Sequence, residues 1–117
     1  MTFFTTHQFF RFSASHSRGQ KVYGHNYILE VITRGLNPEK ESATAEKIRR
    51  TLIGKLESRD LGLDVDFLKG VEISDQVLLS AFWPIVENAA RPAELSALSI
   101  KRDQRTKVTL HADAHPA

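Results

Sequence analysis

Two histidines and a tyrosine are the side chains of this sequence whose types and spacing could support chemistry. His16 and His25 lie in neighbouring β-rich segments, and Tyr23 precedes His25 by two residues. Because side chains two apart on a strand point to the same face, Tyr23 and His25 should lie side by side. Imidazoles are common zinc ligands, whereas a neutral phenol binds zinc poorly. Two histidines alone would bind zinc weakly unless another group completes the site; the alternative is a pair of metal-free, hydrogen-bonded strand histidines.

The other histidines are weaker candidates. His7 has the opposite parity to His16 on the first strand, so we expect a surface side chain. His111 and His115 lie in or near the C-terminal tail, where a ligand role toward a neighbouring copy is a minor alternative to a solvated side chain. The chain contains no cysteine, which excludes disulfides, Cys-ligated zinc and thiol nucleophiles.

Four β-rich and two helical segments should position these residues. Alternating apolar residues predict the strands, and apolar residues at helical spacing predict two amphipathic helices. Asn37 before Pro38 is the expected start of the first helix, and Ser74 is the expected cap of the second, which Pro84 should kink or end. The predicted strands are 3–15, 23–34, 96–102 and 106–111, with a turn at 17–22 and a loop at 58–73.

The resulting ββααββ order predicts an α+β fold in a single domain over residues 1–117. Two hairpins flanking two helices favour a four-stranded antiparallel sheet with both helices on one face. The predicted apolar stripes are Ala45, Ile48, Leu52, Ile53 and Leu56 in the first helix, and Val77, Leu78, Ala81, Phe82 and Ile85 in the second.

The segments FRFSASH (10–16) and YGHNY (23–27) resemble the 6-pyruvoyl-tetrahydropterin synthase and 6-carboxy-tetrahydropterin synthase family. That family carries F-x-A-A-H on its first strand and H-G-H-N/S-Y/F on its second, and weaker similarity continues over 52–62, 63–76 and 98–110. The resemblance implies the tunnelling fold, with barrel-like oligomers and sites between subunits. It also implies a zinc-dependent carbon–oxygen lyase acting on dihydroneopterin triphosphate, and a homo-oligomer, by family resemblance a hexamer.

The resemblance places His16 and His25 at two of the family's three zinc-binding positions. Tyr23 stands at the third, so zinc is possible but its site is incomplete. The family also uses a cysteine, prepared by an Asp-His pair, to move protons on the substrate. Gly19 occupies the approximate place of that cysteine, so the resemblance assigns no catalytic residue here.

The remaining family positions are also changed. Glu57 and Ser58 replace the Asp-His pair, and Gln76 falls within the segment that corresponds to P-T-x-E-N. The pterin-anchoring Glu falls at Arg102, or one residue away at Asp103. Because an arginine reverses the sign of that position, an anion suits it better than a pterin ring that donates hydrogen bonds. The candidate ligand-binding residues are therefore Tyr23, Gln76 and Arg102.

Charge and hydropathy argue against other classes of function. The net charge is +2 and basic residues are interspersed with acidic ones, so nucleic-acid binding, suggested only by the pI of about 9.1, is not expected. No stretch approaches the roughly 18 apolar residues of a membrane span, and no secretory signal is recognisable. These features predict a cytoplasmic protein that does not associate with membranes.

Two functional hypotheses follow. The first is a divergent synthase homologue of pterin or deazapurine biosynthesis with impaired or lost lyase activity. The alternative is a non-catalytic protein on the same scaffold that binds a small heterocyclic or anionic ligand or assembles with an active paralogue. In either case, the exposed edges of a four-stranded sheet favour a homo-oligomer formed by strand pairing.

Overall fold

The computed structural model describes residues 1–103 and 105–113. Its strands form one antiparallel sheet in the order β1-β2-β3-β4. The strands are β1 (Thr5–Arg18), β2 (Lys21–Arg34), β3 (Glu94–Lys101) and β4 (Lys107–His111). The helices between β2 and β3 are α1 (Glu41–Ile48), α2 (Gly54–Leu56) and α3 (Asp75–Ala90). The predicted α+β fold and its ββααββ order are confirmed, with α1 and α2 forming one helical region.

The β1–β2 hairpin is longer than the sequence predicted. Both strands extend into the predicted 17–22 turn and leave only Gly19 and Gln20 between them. Gly19 has φ of 63°, a left-handed conformation that glycine adopts without steric cost. In this register His16 lies opposite Tyr23, and Ala14 lies opposite His25.

The first helical region begins where the sequence predicted. The Asn37 side chain accepts a hydrogen bond from the backbone N–H of Glu39 at 2.9 Å and caps a short 3-10 turn, Pro38–Lys40, before α1. Between α1 and α2 the backbone widens into a π-helical segment, Arg49–Ile53, which the sequence did not predict. The predicted stripe is nevertheless buried throughout, at Ala45, Ile48, Leu52, Ile53 and Leu56.

Ser74 caps α3 as expected, since its hydroxyl accepts a hydrogen bond from the Val77 N–H at 3.2 Å. The expectation that α3 could end at Pro84 is wrong, because the helix continues to Ala90. Ser80 and Pro84 are both exposed, so water can reach the carbonyl that lacks its helical donor. The buried side of α3 is also displaced from the predicted stripe and consists of Leu78, Leu79, Phe82, Val86, Ala89 and Ala90.

The core lies between the helices and one face of the sheet. Phe10 and Phe12 of β1 and Tyr27 and Leu29 of β2 point into it, and all four are at most 3% exposed. Alternate residues of the same strands point to the opposite face, where no described helix packs. We call these the helix face and the open face of the sheet.

The segment after α2 runs beside the outer edge of β1. Ser15 donates its N–H to the Arg59 carbonyl at 2.9 Å and accepts from the Leu61 N–H at 2.7 Å, which forms a parallel bridge between Ser15 and Asp60. The predicted 58–73 loop is therefore pinned to the sheet at its start. Among the described residues, no helix is both long enough and apolar enough to span a membrane.

Candidate functional site

An aromatic row continues the core beyond its apolar part toward the β1–β2 turn. The rings of Tyr27, His25, His16 and Tyr23 follow one another on the helix face. Ring centroids lie 5.6 Å apart for Tyr27 and His25, 5.4 Å for His25 and His16, and 5.5 Å for His16 and Tyr23. The last two pairs are stacked with interplanar angles of 24°. The structure therefore brings His16, Tyr23 and His25 together, as strand parity predicted.

Exposure increases along this row. Tyr27 is 2% exposed, the two histidines are half-buried, and Tyr23 is 39% exposed. Burial raises the pKa of Tyr27 to about 12, so its hydroxyl keeps its proton at neutral pH. The row thus presents a buried phenol at one end and an exposed ring at the other.

Burial also lowers the pKa of His25 below its ordinary value. The positive charge of Arg102 and the neighbouring His16 lower it further, and Asp75 opposes them. His25 is consequently neutral at pH 7 and can accept a hydrogen bond or donate a lone pair. The same two charged residues act on Tyr27, which places them beside the row.

Arg102 and Asp75 form an ion pair next to these rings. Nε of Arg102, just beyond β3, lies 3.3 Å from Oδ2 of Asp75, the first residue of α3. The aspartate side chain is 15% exposed and the arginine side chain 45% exposed. Gln76 follows Asp75 in the first turn of α3 and is exposed. The sequence prediction named Arg102 and Gln76 but missed Asp75, whose only signal was its place directly after a helix cap.

Glu57 and Ser58 close the edge of the site. The Glu57 carboxylate accepts the Ser13 N–H at 3.2 Å, and the Ser58 N–H donates to the Ser13 carbonyl at 2.6 Å. Ser58 has φ of 60°, which turns the chain out of α2 and alongside β1. With His25 and Arg59, Ser58 contributes to the lining of a cavity of about 350 Å³. Glu57 and Ser58 therefore fix one wall of this cavity through their hydrogen bonds to Ser13. Neither residue provides the imidazole expected of an Asp-His pair.

The donor set at this site does not fit a zinc ion held by the protein alone. A protein zinc site supplies three or four nitrogen, sulfur or carboxylate ligands. Here the row offers two imidazoles and a phenol, and the described residues contain no group of three or more His, Cys, Asp or Glu side chains arranged to hold a metal. His111 lies at the other end of the sheet from the aromatic row. It pairs with Ala97, which pairs with Ile32, and Ile32 in turn pairs with His7. His115 lies outside the described residues.

His7 is exposed, as predicted, but it has a partner that the sequence did not reveal. Its Nδ1 lies 2.7 Å from Oε2 of Glu30, a buried carboxylate on the open face. Ser99 Oγ and Lys107 Nζ reach the other oxygen of Glu30 at 2.9 and 3.1 Å. His7 therefore belongs to a polar cluster on the open face and is separate from the aromatic row.

Comparison with solved structures identifies the scaffold. The structure of Caenorhabditis elegans 6-pyruvoyl tetrahydropterin synthase matches 97% of this chain and 98% of its own, with a TM-score of 0.77 and 21% sequence identity. This chain has the fold of that synthase. An uncharacterized protein, WS1659 from Wolinella succinogenes, matches 97% of this chain and 100% of its own, with a TM-score of 0.68 and 10% identity. No family model and no curated protein matches the sequence.

The likeness to the synthase covers nearly the whole chain, so both hairpins and the intervening helices belong to the shared scaffold. At 21% identity the likeness concerns the fold, and the chemistry must be argued from this chain's own residues. Those residues are a row of two imidazoles and two phenols, with two stacked contacts and one edge-on contact, beside one ion pair.

Proposed function

We propose that this chain is a divergent homologue of 6-pyruvoyl-tetrahydropterin synthase, working in the cytoplasm in pterin or deazapurine biosynthesis, with impaired or lost lyase activity. On this proposal it keeps the synthase scaffold and binds a small planar heterocycle at the aromatic row. The supporting observation is the stacking of Tyr23 on His16, with a centroid separation of 5.5 Å. By the family resemblance, Tyr23 stands where the family has its third zinc-binding histidine.

The geometry supports binding better than it supports turnover. A planar ring can stack on the exposed Tyr23 ring, and Arg102 and Asp75 beside the row supply donors and an acceptor for ring nitrogens and oxygens. Proton transfer would need a poised acid or base at the reacting carbon, and the chain has no thiol for that role. A neutral His25 is the group best placed to accept a proton. Among the described contacts, however, no side chain hydrogen-bonds to its ring to orient it.

The alternative of a free anion-binding site at Arg102 has less support. Asp75 already neutralises this guanidinium at 3.3 Å, so an incoming anion would have to compete with a half-buried carboxylate. This pair favours a ligand with both donors and acceptors, as a heterocyclic amide has, over a simple anion.

The stacking role of Tyr23 can be tested by titrating the purified chain with neopterin by calorimetry. Tyr23→Ala should weaken binding about tenfold, because base–aromatic stacking contributes about 1–3 kcal/mol per ring. Tyr23→Phe keeps the ring and should bind like the wild type. Equal weakening by both variants would contradict the stacking role, and no neopterin binding by the wild type would overturn the ligand class.

Catalysis is tested separately with dihydroneopterin triphosphate and the untagged protein. We expect turnover far below that of an active synthase, and less than one zinc per chain. Zinc near one per chain that disappears in a His16→Ala, His25→Ala variant, together with synthase-like turnover, would show an intact enzyme and overturn the proposal.

We further propose that the chain assembles into a homo-oligomer by pairing strand edges, a hexamer by family resemblance. In the described residues, the outer edges of β4 and of the first half of β1 carry no paired strand. Such edges present rows of backbone donors and acceptors that a second copy can satisfy.

A further inference from the structure

Three cations stand in a single cross-strand row on the open face. The register pairs Arg11 with Ile28, Ile28 with Lys101, and Lys101 with Lys107. Directly paired residues point to the same side of a sheet, so these four side chains lie together on the face away from the helices. The aromatic row occupies the other face.

This row is electrostatically unfavourable as it stands. Lys101 and Lys107 are directly opposite each other, an arrangement that destabilises a strand pair. Glu30, one row away, offsets only part of the charge. One of its oxygens accepts from His7, and the other accepts from both Lys107 and Ser99. Within the described residues, Arg11 and Lys101 have no ion-pair partner, so two positive charges remain uncompensated on this row.

A cavity of about 320 Å³ lies over the row. Its polar lining comprises the three cations with Glu30 and Ser99. Its apolar lining comprises Ile28 and Phe9, whose ring is 61% exposed although it lies on a strand. The cavity therefore combines two free cations with an exposed aromatic ring, and its volume is in the range of small-molecule sites.

We propose that this cavity binds a small organic phosphate, with Arg11 and Lys101 holding the phosphate group and Phe9 contacting the apolar part. Arginine forms paired hydrogen bonds to phosphate oxygens, and a lysine adds a mobile charge. A bound dianion would also relieve the repulsion between Lys101 and Lys107. This site goes beyond the heterocycle site, from which the thickness of the sheet separates it.

The test uses the whole chain with inorganic phosphate and phenyl phosphate as probes. Calorimetry and thermal unfolding are measured at constant ionic strength against chloride, so that general screening is the same in both salts. Phosphate should raise the unfolding temperature above the chloride value, and phenyl phosphate should bind more tightly than inorganic phosphate. Arg11→Ala and Lys101→Ala should each weaken phosphate binding about tenfold, the loss expected for one charge-assisted hydrogen bond.

Matched controls separate this site from the rest of the surface. Lys55→Ala removes an exposed lysine from α2 and should bind phosphate like the wild type. Tyr23→Ala should also retain phosphate binding, although it weakens heterocycle binding. Phe9→Ala should remove the advantage of phenyl phosphate over inorganic phosphate and leave the latter's affinity unchanged.

The unliganded variants give a second readout. In chloride at low ionic strength, Lys101→Ala should unfold at a higher temperature than the wild type, because it removes a like-charge pair. If Lys101→Ala fails to fold, the phosphate affinity of Arg11→Ala tests the proposal instead. No stabilisation by phosphate beyond that of chloride would overturn the proposal, as would equal weakening in Lys55→Ala. Loss of phosphate binding in Tyr23→Ala would indicate that the anion binds on the helix face, and it would also overturn the proposal.

Discussion

Glu30 is a buried, charged side chain on the open face of the sheet. It is 7% exposed on a strand and accepts hydrogen bonds from His7, Ser99 and Lys107. Burial alone would raise its pKa, but these three hydrogen bonds and the charge of Lys107 outweigh burial, so the pKa lies below its usual value. The carboxylate is therefore ionised across the neutral range.

This environment predicts a pH-dependent effect of Glu30→Gln. Because the folded-state pKa is depressed, ionised Glu30 stabilises the protein above its unfolded-state pKa, and that stability is lost as the pH falls through the folded-state pKa. At pH 7 the variant should be less stable by about 2 kcal/mol, the scale of a hydrogen-bonded charge. The difference should shrink as the pH falls from about 5 to 3. Urea unfolding at several pH values measures it.

An exposed carboxylate provides the control for that series. Glu94→Gln removes one at the start of β3 and should have only a small effect on stability. A difference between Glu30→Gln and wild type that stays constant down to pH 3 would mean that the ionised form of Glu30 contributes no stability.

The aromatic row was predictable from sequence because its members are close along the chain. Tyr23 and His25 share a strand face by period, and His16 lies on the neighbouring strand of the same hairpin. The Glu30 cluster was not predictable, because its partners lie 23, 69 and 77 residues away. Only the register of β3 and β4 brings Ser99 and Lys107 to this carboxylate.

At the level of elements, the β1–β2 hairpin depends on a tight turn with one left-handed residue. Gly19 adopts φ of 63° in that turn, whereas Gly24 on β2 has an ordinary strand conformation. A Cβ added at either position meets no atom within 4 Å, so space is available at both. The two glycines differ in the backbone conformation that a side chain would have to tolerate.

These two glycines make a matched pair for measuring turn strain. Gly19→Ala should destabilise the protein by about 1 kcal/mol, the cost of a left-handed conformation for an L-residue. Gly24→Ala should be neutral or slightly stabilising, since alanine restricts the unfolded chain. Thermal unfolding of both variants distinguishes them. Equal effects would indicate that the turn relaxes to another conformation in Gly19→Ala.

Local signals predicted where the helical regions begin but not their interior. Asn37 and Ser74 are caps with one preferred arrangement, and both form the expected hydrogen bond. The π-helical segment Arg49–Ile53 leaves the buried stripe intact, so the apolar pattern carries no sign of it. The passage of α3 through Pro84 depends on the exposure of that side of the helix, which is a property of the tertiary packing.

On the scale of the whole molecule, the two edges of the sheet differ. The segment around Asp60 bridges to β1 at Ser15, so a partner strand can reach β1 only along its first half. The outer side of β4 has no paired strand among the described residues. The two hairpins were predictable from the sequence, whereas the pairing of β2 with β3 was not. The bridge was not predictable either, because it pairs backbone groups without a side-chain pattern.

These edges give a direct expectation for solution behaviour. Light scattering at micromolar concentration should find an oligomer, because each copy offers two edges that another can pair with. Thr109→Pro removes a backbone donor from β4 and should lower the molecular mass if β4 forms the contact. A monomeric wild type at micromolar concentration would contradict strand-mediated assembly.

The alternation of side chains along β1 also has a genetic consequence. Even-numbered residues such as Phe12 and His16 serve the helix face, and odd-numbered ones such as Phe9 and Arg11 serve the open face. Substitutions can therefore alter one face without touching the other. An in-frame deletion of one codon inside the strand would exchange the two sets, sending Arg11 toward the core and Phe12 into water. We therefore expect this scaffold to accept amino-acid substitutions on one face of β1 at a time. We expect it to accept single-codon insertions and deletions only in the turns, where the strand register is not shifted.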